Sequence, residues 1–324
     1  MRISFRTGIS FAFAVSLLVV TVLTGCGDDD AGISLSVNTG SKDSVVNLYR
    51  TVFVPDNSLD PGWTGSVAAC NPGTITLAYR QATVRRVNYY RALCQLPTVS
   101  LDEDQSAKCQ HAALIMSANR SLSHTPPNTW LCWTQDGYDA ASHANLALGS
   151  CGPPAIGLYM DDYGTGNAAV GHRRWILSPP LAKVGTGSVP KHDTYLAADA
   201  LWVVGNAGDR PSAPEYVAWP SAGWFPKQHL PTLEGRWSFS VNGADWSQTS
   251  ISTTRNGVAV TIRMEAVNNA GYGDRTIVWC PTDGTANRFV GPEDVWNISV
   301  NNVLINGQSK NYNYTIRVFD PETL

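Results

Sequence analysis

The sequence predicts an α+β protein in which a helical part precedes a β part. Apolar residues recur at spacings of three and four from Ala78 to about Arg120, which is typical of helices. After Trp237 the apolar residues alternate in short runs, which indicates strands. The length agrees with two parts, since roughly 300 mature residues exceed one ordinary domain.

The chain opens with the features of a secretory signal peptide over residues 1–25. A basic start is followed by an apolar run at 9–23, which is too short to span a membrane. The next residues, Leu23-Thr24-Gly25-Cys26, resemble the lipobox of bacterial lipoproteins, which implies cleavage before Cys26 and acylation of its thiol. The alternative is an ordinary signal peptide with a coincidental cysteine. We expect an exported protein that lipid on Cys26 anchors to a membrane of the bacterial cell envelope.

Residues 26–45 are expected to form a flexible tether. They are rich in Gly, Ser, Asp and Asn and poor in core-forming residues. Such a segment cannot bury enough apolar surface to offset the entropy lost on ordering.

The charge balance argues against nucleic acid as a partner. Of the 23 basic side chains only Arg2 and Arg6 precede Cys26, so 21 remain against 26 acidic ones, a formal charge of −5. No basic stripe offsets this excess. The 11 Trp and 12 Tyr suit both β-sheet cores and binding surfaces.

Six cysteines besides Cys26 predict up to three disulfides, because an even number in an exported chain is typical of disulfide bonding. The sequence alone cannot choose among the fifteen possible pairings. We expect the short loops Cys94–Cys109 and Cys132–Cys151, which leaves Cys70–Cys280.

Four elements are predicted in the helical part, in chain order. A first helix spans Ala78 to Leu96 and ends before Pro97. A second begins near its capping residue Asp102 and runs to about Arg120. A short helix follows at 152–160, and a glycine-rich turn at 185–189 leads into a strand.

Prolines and aromatic residues mark 201–235, which we interpret as a connector to a β domain at 236–324. The predicted strands lie at 237–241, 258–262, 277–279 and 314–318, with hairpin turns at Asn256-Gly257 and Asn306-Gly307. Short alternating strands at this spacing favour a small antiparallel β-sandwich, immunoglobulin-like in type. Trp219, Trp224 and Trp237 are either packing residues between the two parts or a stacking platform for sugar rings.

Several short motifs occur in order between Gln81 and Val189. They are Val87–Ala92 with Leu96-Pro97, then Ala107–Ala113, Leu122–Thr125, Asn145–Ala147, Gly171–Leu177 and Val184–Gly187. In order and spacing they resemble the bacterial branch of the CAP superfamily, the cysteine-rich secretory, venom-antigen and plant pathogenesis-related proteins. The resemblance implies an α-β-α sandwich with a central cleft, here over residues 46–200.

Members of this family with the full cleft present two histidines and two acidic residues that can hold a divalent metal. The resemblance places the histidines at His124 and His172 and the second acidic position at Asp161 or Asp162. The first acidic position is lost, because the Gly-Glu-Asn motif reads His143-Ala144-Asn145.

A zinc site nevertheless stays possible. Zinc with an open position for water needs three protein ligands, which His124, His143, His172 and Asp162 could supply. The alternative is that His124 and His172 are cleft residues satisfied by backbone and water, with His143 at the surface.

Three functions are compatible with these features. In the first, a cleft with His124, His172, Asp162 and Asn145 binds a small lipid- or sterol-like ligand or an envelope glycan. In the second, the protein is a metal-assisted or serine hydrolase with Ser123 as a conceivable nucleophile, although Gly-x-Ser-x-Gly and His-Glu-x-x-His motifs are missing. In the third, it is an adhesive or scaffolding lipoprotein that contacts envelope proteins and has a vestigial cleft. We favour the first, and favour binding over catalysis.

Overall fold

The chain forms six helices and fourteen strands within the part that the structure describes. This computed structural model describes residues 35–231, 235–267, 269, 271, 273–282, 291 and 293–323. Helices α1 to α6 span Lys42–Leu48, Leu77–Leu93, Glu103–Asn119, Gln135–His143, Pro153–Asp161 and Gly171–Ile176. Strands β1 to β6 span Ser100–Leu101, Ala144–Leu148, Lys183–Val189, Ala198–Trp202, Tyr216–Trp219 and Gly223–Pro226. Strands β7 to β14 span Trp237–Val241, Ala244–Asp245, Ser250–Arg255, Val258–Val260, Ile262–Met264, Arg275–Pro281, Glu293–Ile305 and Gln308–Phe319.

Side-chain caps define where the two long helices begin. Thr76 caps α2, its Oγ1 accepting from the amide of Tyr79 at 3.2 Å. Asp102 Oδ1 accepts from the amide of Gln105 at 2.9 Å, which confirms the predicted start of α3. The first helix ends three residues before the predicted end, because Cys94 already leaves the helical conformation.

The helical part is an α-β-α sandwich, as predicted. Its sheet has the order β1-β3-β4-β2, with β1 parallel to β3 and the other pairs antiparallel. Ala200 belongs to the apolar cluster around α3 and α4, whereas its neighbour Leu201 belongs to the cluster around α2 and α5. Because side chains alternate along a strand, the sheet is covered by helices on both faces.

Two glycines let helix α3 lie directly on the sheet. A Cβ at Gly185 or Gly187 of β3 would overlap the backbone of α3, at Gln105 and Ser106 or at Cys109 and Gln110. The predicted glycine-rich turn is therefore the strand itself, and its glycines are needed for close approach.

The β part consists of two sheets that pack face to face. One has the order β10-β9-β13-β14-β6 with β8 beside β13, and the other has the order β11-β12-β7-β5. Phe239 of β7 stacks on Tyr314 of β14 with ring centroids 5.9 Å apart. The turns at Asn256-Gly257 and Asn306-Gly307 are confirmed, since all four residues have the positive φ angles that such hairpins require.

The prediction of one strand at 258–262 is wrong. Val258–Val260 pairs with β9 in the first sheet, whereas Ile262–Met264 pairs with β12 in the second. The chain crosses between the sheets at Thr261, which an alternating pattern of apolar residues does not reveal.

The predicted connector at 201–235 is built into both parts. Its first residues complete β4, while β5 and β6 are strands of the two sandwich sheets. Trp219 and Trp237 are 1% and 0% exposed, and Trp219 contacts Tyr90 of α2 at 5.6 Å between ring centroids. These two indoles pack the core and are not a platform for sugars. The described residues accordingly fall within one compact unit.

The predicted tether is shorter than expected at its carboxyl end. Its residues up to 34, like the predicted signal peptide and Cys26, lie outside the described residues. Residues 35–45 pack against the fold: Val37 is buried, and its carbonyl accepts from Gln95 Nε2 at 2.9 Å. Val45 and Leu48 bury one side of α1, which supplies the apolar anchor that the earlier residues lack. No helix in the described ranges is long and apolar enough to cross a membrane.

The predicted disulfide pairing is wrong. Cys70 is bonded to Cys132, and Cys94, Cys109, Cys151 and Cys280 are free thiols. Cys94 and Cys109 cannot meet because they are buried in the clusters on opposite faces of the sheet. The observed bond ties the segment before α2 to the loop before α4.

Replacing both bonded cysteines, as in Cys70→Ala/Cys132→Ala, should lower the free energy of unfolding by about 4 kcal/mol. The chain-entropy model gives this loss for two cysteines that are 62 residues apart in the sequence. Urea denaturation measures it, with Cys151→Ala as the control that removes a thiol outside any bond. An equal loss in the control would show that Cys151, and not Cys70, is the partner of Cys132.

Candidate functional site

A cavity of about 440 Å³ opens between the end of α4, strand β2 and the amino-terminal half of α6. It is lined by His124, Ser142, Ala144, Asn145, Gly166, Asn167, Ala169, Gly171, His172, Trp175, Val203, Val204 and Gly271. His124 and His172, which are far apart in sequence, thus line one cavity. We call this cavity the cleft.

His172 is held in place from two sides. Its Nδ1 lies 2.8 Å from Asp162 Oδ1, and the ring stacks on Tyr159 with centroids 5.5 Å apart. Asp162 is 1% exposed, and its other oxygen accepts from the amide of Arg173 at 3.2 Å. Asp162 is therefore a positioning residue behind His172 and does not line the cleft.

His124 is fixed through its backbone partner. Its Nδ1 donates to the carbonyl of Ala141 at 2.8 Å, which leaves Nε2 as the nitrogen that can accept a hydrogen bond. Asn145 is 2% exposed and donates from Nδ2 to the carbonyl of His172 at 3.1 Å. It shapes the cleft wall and also holds the start of α6.

The prediction of His143 as a cleft ligand is not supported. Its ring stacks flat on Trp202, with centroids 4.8 Å apart, and its Nδ1 lies 2.7 Å from the carbonyl of Asp139. Ala144, the next residue, is the one that lines the cleft. Because His143 ends α4 and Ala144 begins β2, the side chain that replaces the missing glutamate is a methyl group.

The described residues do not complete a zinc site of the expected kind. They contain no group of three His, Cys, Asp or Glu side chains arranged to hold a metal ion. The cleft supplies the two imidazoles of His124 and His172, whereas a catalytic zinc needs three protein ligands. We therefore derive no chemical step from a metal.

A buried carboxylate lies beneath the cleft. The ring of Tyr159 stacks on that of His172, and its hydroxyl donates to Asp199 Oδ2 at 3.1 Å. Asp199 Oδ1 accepts from the amide of Gly152 and from Ser188 Oγ, both at 2.8 Å. Burial raises the pKa of Asp199 to about 6 despite these bonds.

Sequence reasoning missed Asp199, Tyr159 and Trp175. A signal for Asp199 was present, because it is the one charged residue in the apolar run Ala198–Trp202. Tyr159 and Trp175 carry no such mark, since aromatic residues in short helices are most often ordinary core residues.

Residues 84–206 match the family model of CAP, the cysteine-rich secretory protein family. The chain contains a CAP domain. The match covers a little over a third of the sequence and includes His124, His172 and Asp162. No curated protein matches the chain. In this segment His124, His172 and Ala144 line the cleft, and Asp162 is a hydrogen-bond partner of His172.

Asp199→Asn should remove a pH dependence of stability. The folded pKa of about 6 exceeds the usual value of 3.8, so this group contributes stability at low pH that is lost as pH rises through 6. Between pH 8 and pH 5 the wild type should gain about 1.4 kcal/mol relative to Asp199→Asn. Urea denaturation of both proteins at both pH values measures this gain. If the difference in free energy of unfolding between wild type and Asp199→Asn is the same at pH 5 and pH 8, the raised pKa is contradicted.

Proposed function

We propose that the cleft of the CAP domain binds a small polar ligand that contains a ring. Among the classes of ligand considered, an envelope glycan fits this cleft best. The observation that carries the proposal is the combination of one indole with several hydrogen-bonding groups around one open cavity. Trp175 offers a face for a sugar ring, and His124, Asn167 and Ser142 offer donors and acceptors. The volume of about 440 Å³ lies within the range of small-molecule sites.

A lipid or sterol fits this lining less well. Apolar ligands require walls made mostly of aliphatic and aromatic side chains. Here Val203, Val204 and Trp175 share the wall with two histidines, two asparagines and a serine. Leaving those polar groups against an alkyl chain would cost them their hydrogen bonds to water.

A hydrolase is the second candidate, and one observation favours it. His172 with Asp162 at 2.8 Å is the arrangement of a general base and its orienting carboxylate. A serine nucleophile is not at hand: Ser123 Oγ accepts from the amide of Thr125 at 3.1 Å, and Ser142 Oγ donates to the carbonyl of Asp139 at 2.8 Å. Water would have to be the nucleophile.

Binding can be tested with a muramyl disaccharide and with tri-N-acetylchitotriose in a calorimeter. We expect the wild type to bind one of them and Trp175→Ala to bind it about fivefold more weakly, since an aromatic ring contact contributes about 1 kcal/mol. His172→Ala should also weaken binding.

The matched control is His143→Ala, which removes a histidine that lies outside the cleft. Equal weakening in His143→Ala and His172→Ala, or no binding of either sugar, would contradict the proposal. Zinc added to the titration, or a chelator, shows whether a metal takes part. A hydrolysis product that His172→Ala no longer forms would favour the second candidate.

We also propose that the protein is exported and lipid-anchored, with the CAP domain facing the envelope. The Cys70–Cys132 disulfide supports an oxidising compartment. Cys26→Ala should shift the protein from the membrane fraction to the soluble fraction of the producing bacterium, because the thiol that carries the lipid is lost. Cys151→Ala is the control, and unchanged membrane association of Cys26→Ala would exclude this anchor.

A further inference from the structure

A second cavity, of about 280 Å³, lies between α2, α5 and the segment around His229. It shares no lining residue with the cleft. Much of its wall is apolar or aromatic and includes Phe53, Tyr90, Leu158, Met160, Trp219 and Leu230. A buried arginine, Arg86, lines the same cavity.

Arg86 is a buried cation without an ion pair. It is 2% exposed, and no carboxylate in the described ranges lies within salt-bridge distance of it. Its Nη2 donates to the carbonyl of Phe53 at 2.6 Å and to Asn57 Oδ1 at 2.8 Å, and its guanidinium lies 3.7 Å from the Phe53 ring centroid. Asp56 is near, but it is already paired with Arg85 at 2.7 Å. A buried charge of this kind is costly unless hydrogen bonds or an anion compensate it, and the bonds that Arg86 makes leave its Nε donor unpaired.

Three hydrogen-bonding atoms of the residues that line this cavity have no partner among the described residues. They are the donors Nε of Arg86 and Nε1 of Trp219 and the acceptor Oε1 of Gln228. The orientation of the Gln228 amide is set by its Nε2, which donates to Asp320 Oδ1 at 3.0 Å. Buried groups of this kind are nearly always satisfied in folded proteins, and a ligand with atoms of opposite character would satisfy these groups.

The remaining titratable groups of the wall limit the charge of a ligand. Burial lowers the pKa of His229 to about 3, so its ring is neutral and adds no second positive charge. Asp161 also lines the cavity and disfavours a second negative charge on a ligand. A single carboxylate is the charge that Arg86 can match.

We propose that this cavity binds a small monocarboxylate with an apolar or aromatic body and a hydroxyl group. The carboxylate pairs with Arg86, the hydroxyl donates to Gln228 Oε1, and the body packs against Tyr90 and Trp219. Six of the thirteen lining residues come from outside the segment that matches the CAP family, at 53–57 and 219–230. The site therefore depends on the union of the CAP domain with its flanking segments.

The test is calorimetric titration of the full chain with 3-phenyllactate and with its neutral analogue 3-phenyllactamide. We expect the acid to saturate one site and the amide to bind at least about tenfold more weakly, because a charged hydrogen-bonded pair is lost. Arg86→Met should weaken binding of the acid by roughly ten- to a hundredfold. Arg80→Met, which removes an arginine of the same helix that does not line the cavity, should bind the acid as the wild type does.

A second variant keeps the test decisive where Arg86→Met fails to fold. A Cβ at Gly157 would meet only Tyr90 Oη, at 3.6 Å, so the longer side chain of Gly157→Leu extends into the cavity while Arg86 is retained. Gly157→Leu should abolish binding of the acid. Equal affinity for acid and amide, wild-type affinity in Gly157→Leu, or no saturation by the acid would each overturn the proposal.

Discussion

Buried arginines that bind backbone carbonyls hold the helices of the CAP domain in place. Arg91 is 0% exposed and donates to the carbonyls of Pro97, Ile176, Ser178 and Leu181. Each acceptor lies in a loop or at a helix end, where regular secondary structure does not satisfy every buried carbonyl. Burial lowers the pKa of Arg91 to about 10, so the charge is kept at neutral pH and is offset by four hydrogen bonds.

Arg173 makes the same kind of hydrogen bonds beside the cleft. It is 1% exposed and donates to the carbonyls of Met160 and Asp161 at the end of α5 and to that of Arg236 beside β7. Helix α6 is thereby fixed against α5 and the sandwich at once. This fixes the neighbouring His172 as well. Its ring stacks on Tyr159 of α5, and its Nδ1 lies beside Asp162, the residue that follows α5. The orientation of the cleft histidine thus depends on the packing of the β part.

Local signals in the sequence predicted local structure well. These signals are the cap at Asp102, Pro97 after the first helix and the two Asn-Gly turns. Each acts on the backbone within a few residues of it, so its effect depends little on the rest of the fold. The convergence of His124 and His172 was predicted through resemblance, because no local rule brings such distant residues together. The partner of Cys132 and the crossing at Thr261 depend on which sheet face each segment meets. The pattern of apolar residues in a sequence shows the period of a strand, but it does not show which strands lie beside it.

The lining of the cleft limits what it can hold, because none of its lining residues is an aspartate or a glutamate. The carboxylate of Asp162 is engaged by His172 and by the amide of Arg173, and Asp199 is buried and accepts from the hydroxyl of Tyr159. Neither side chain lines the cleft, whereas Ala144 presents a methyl group there. Divalent cations need anionic ligands or several imidazoles to offset their lost hydration. Sugar hydroxyls need only neutral donors and acceptors beside an aromatic face, and these are what the cleft keeps.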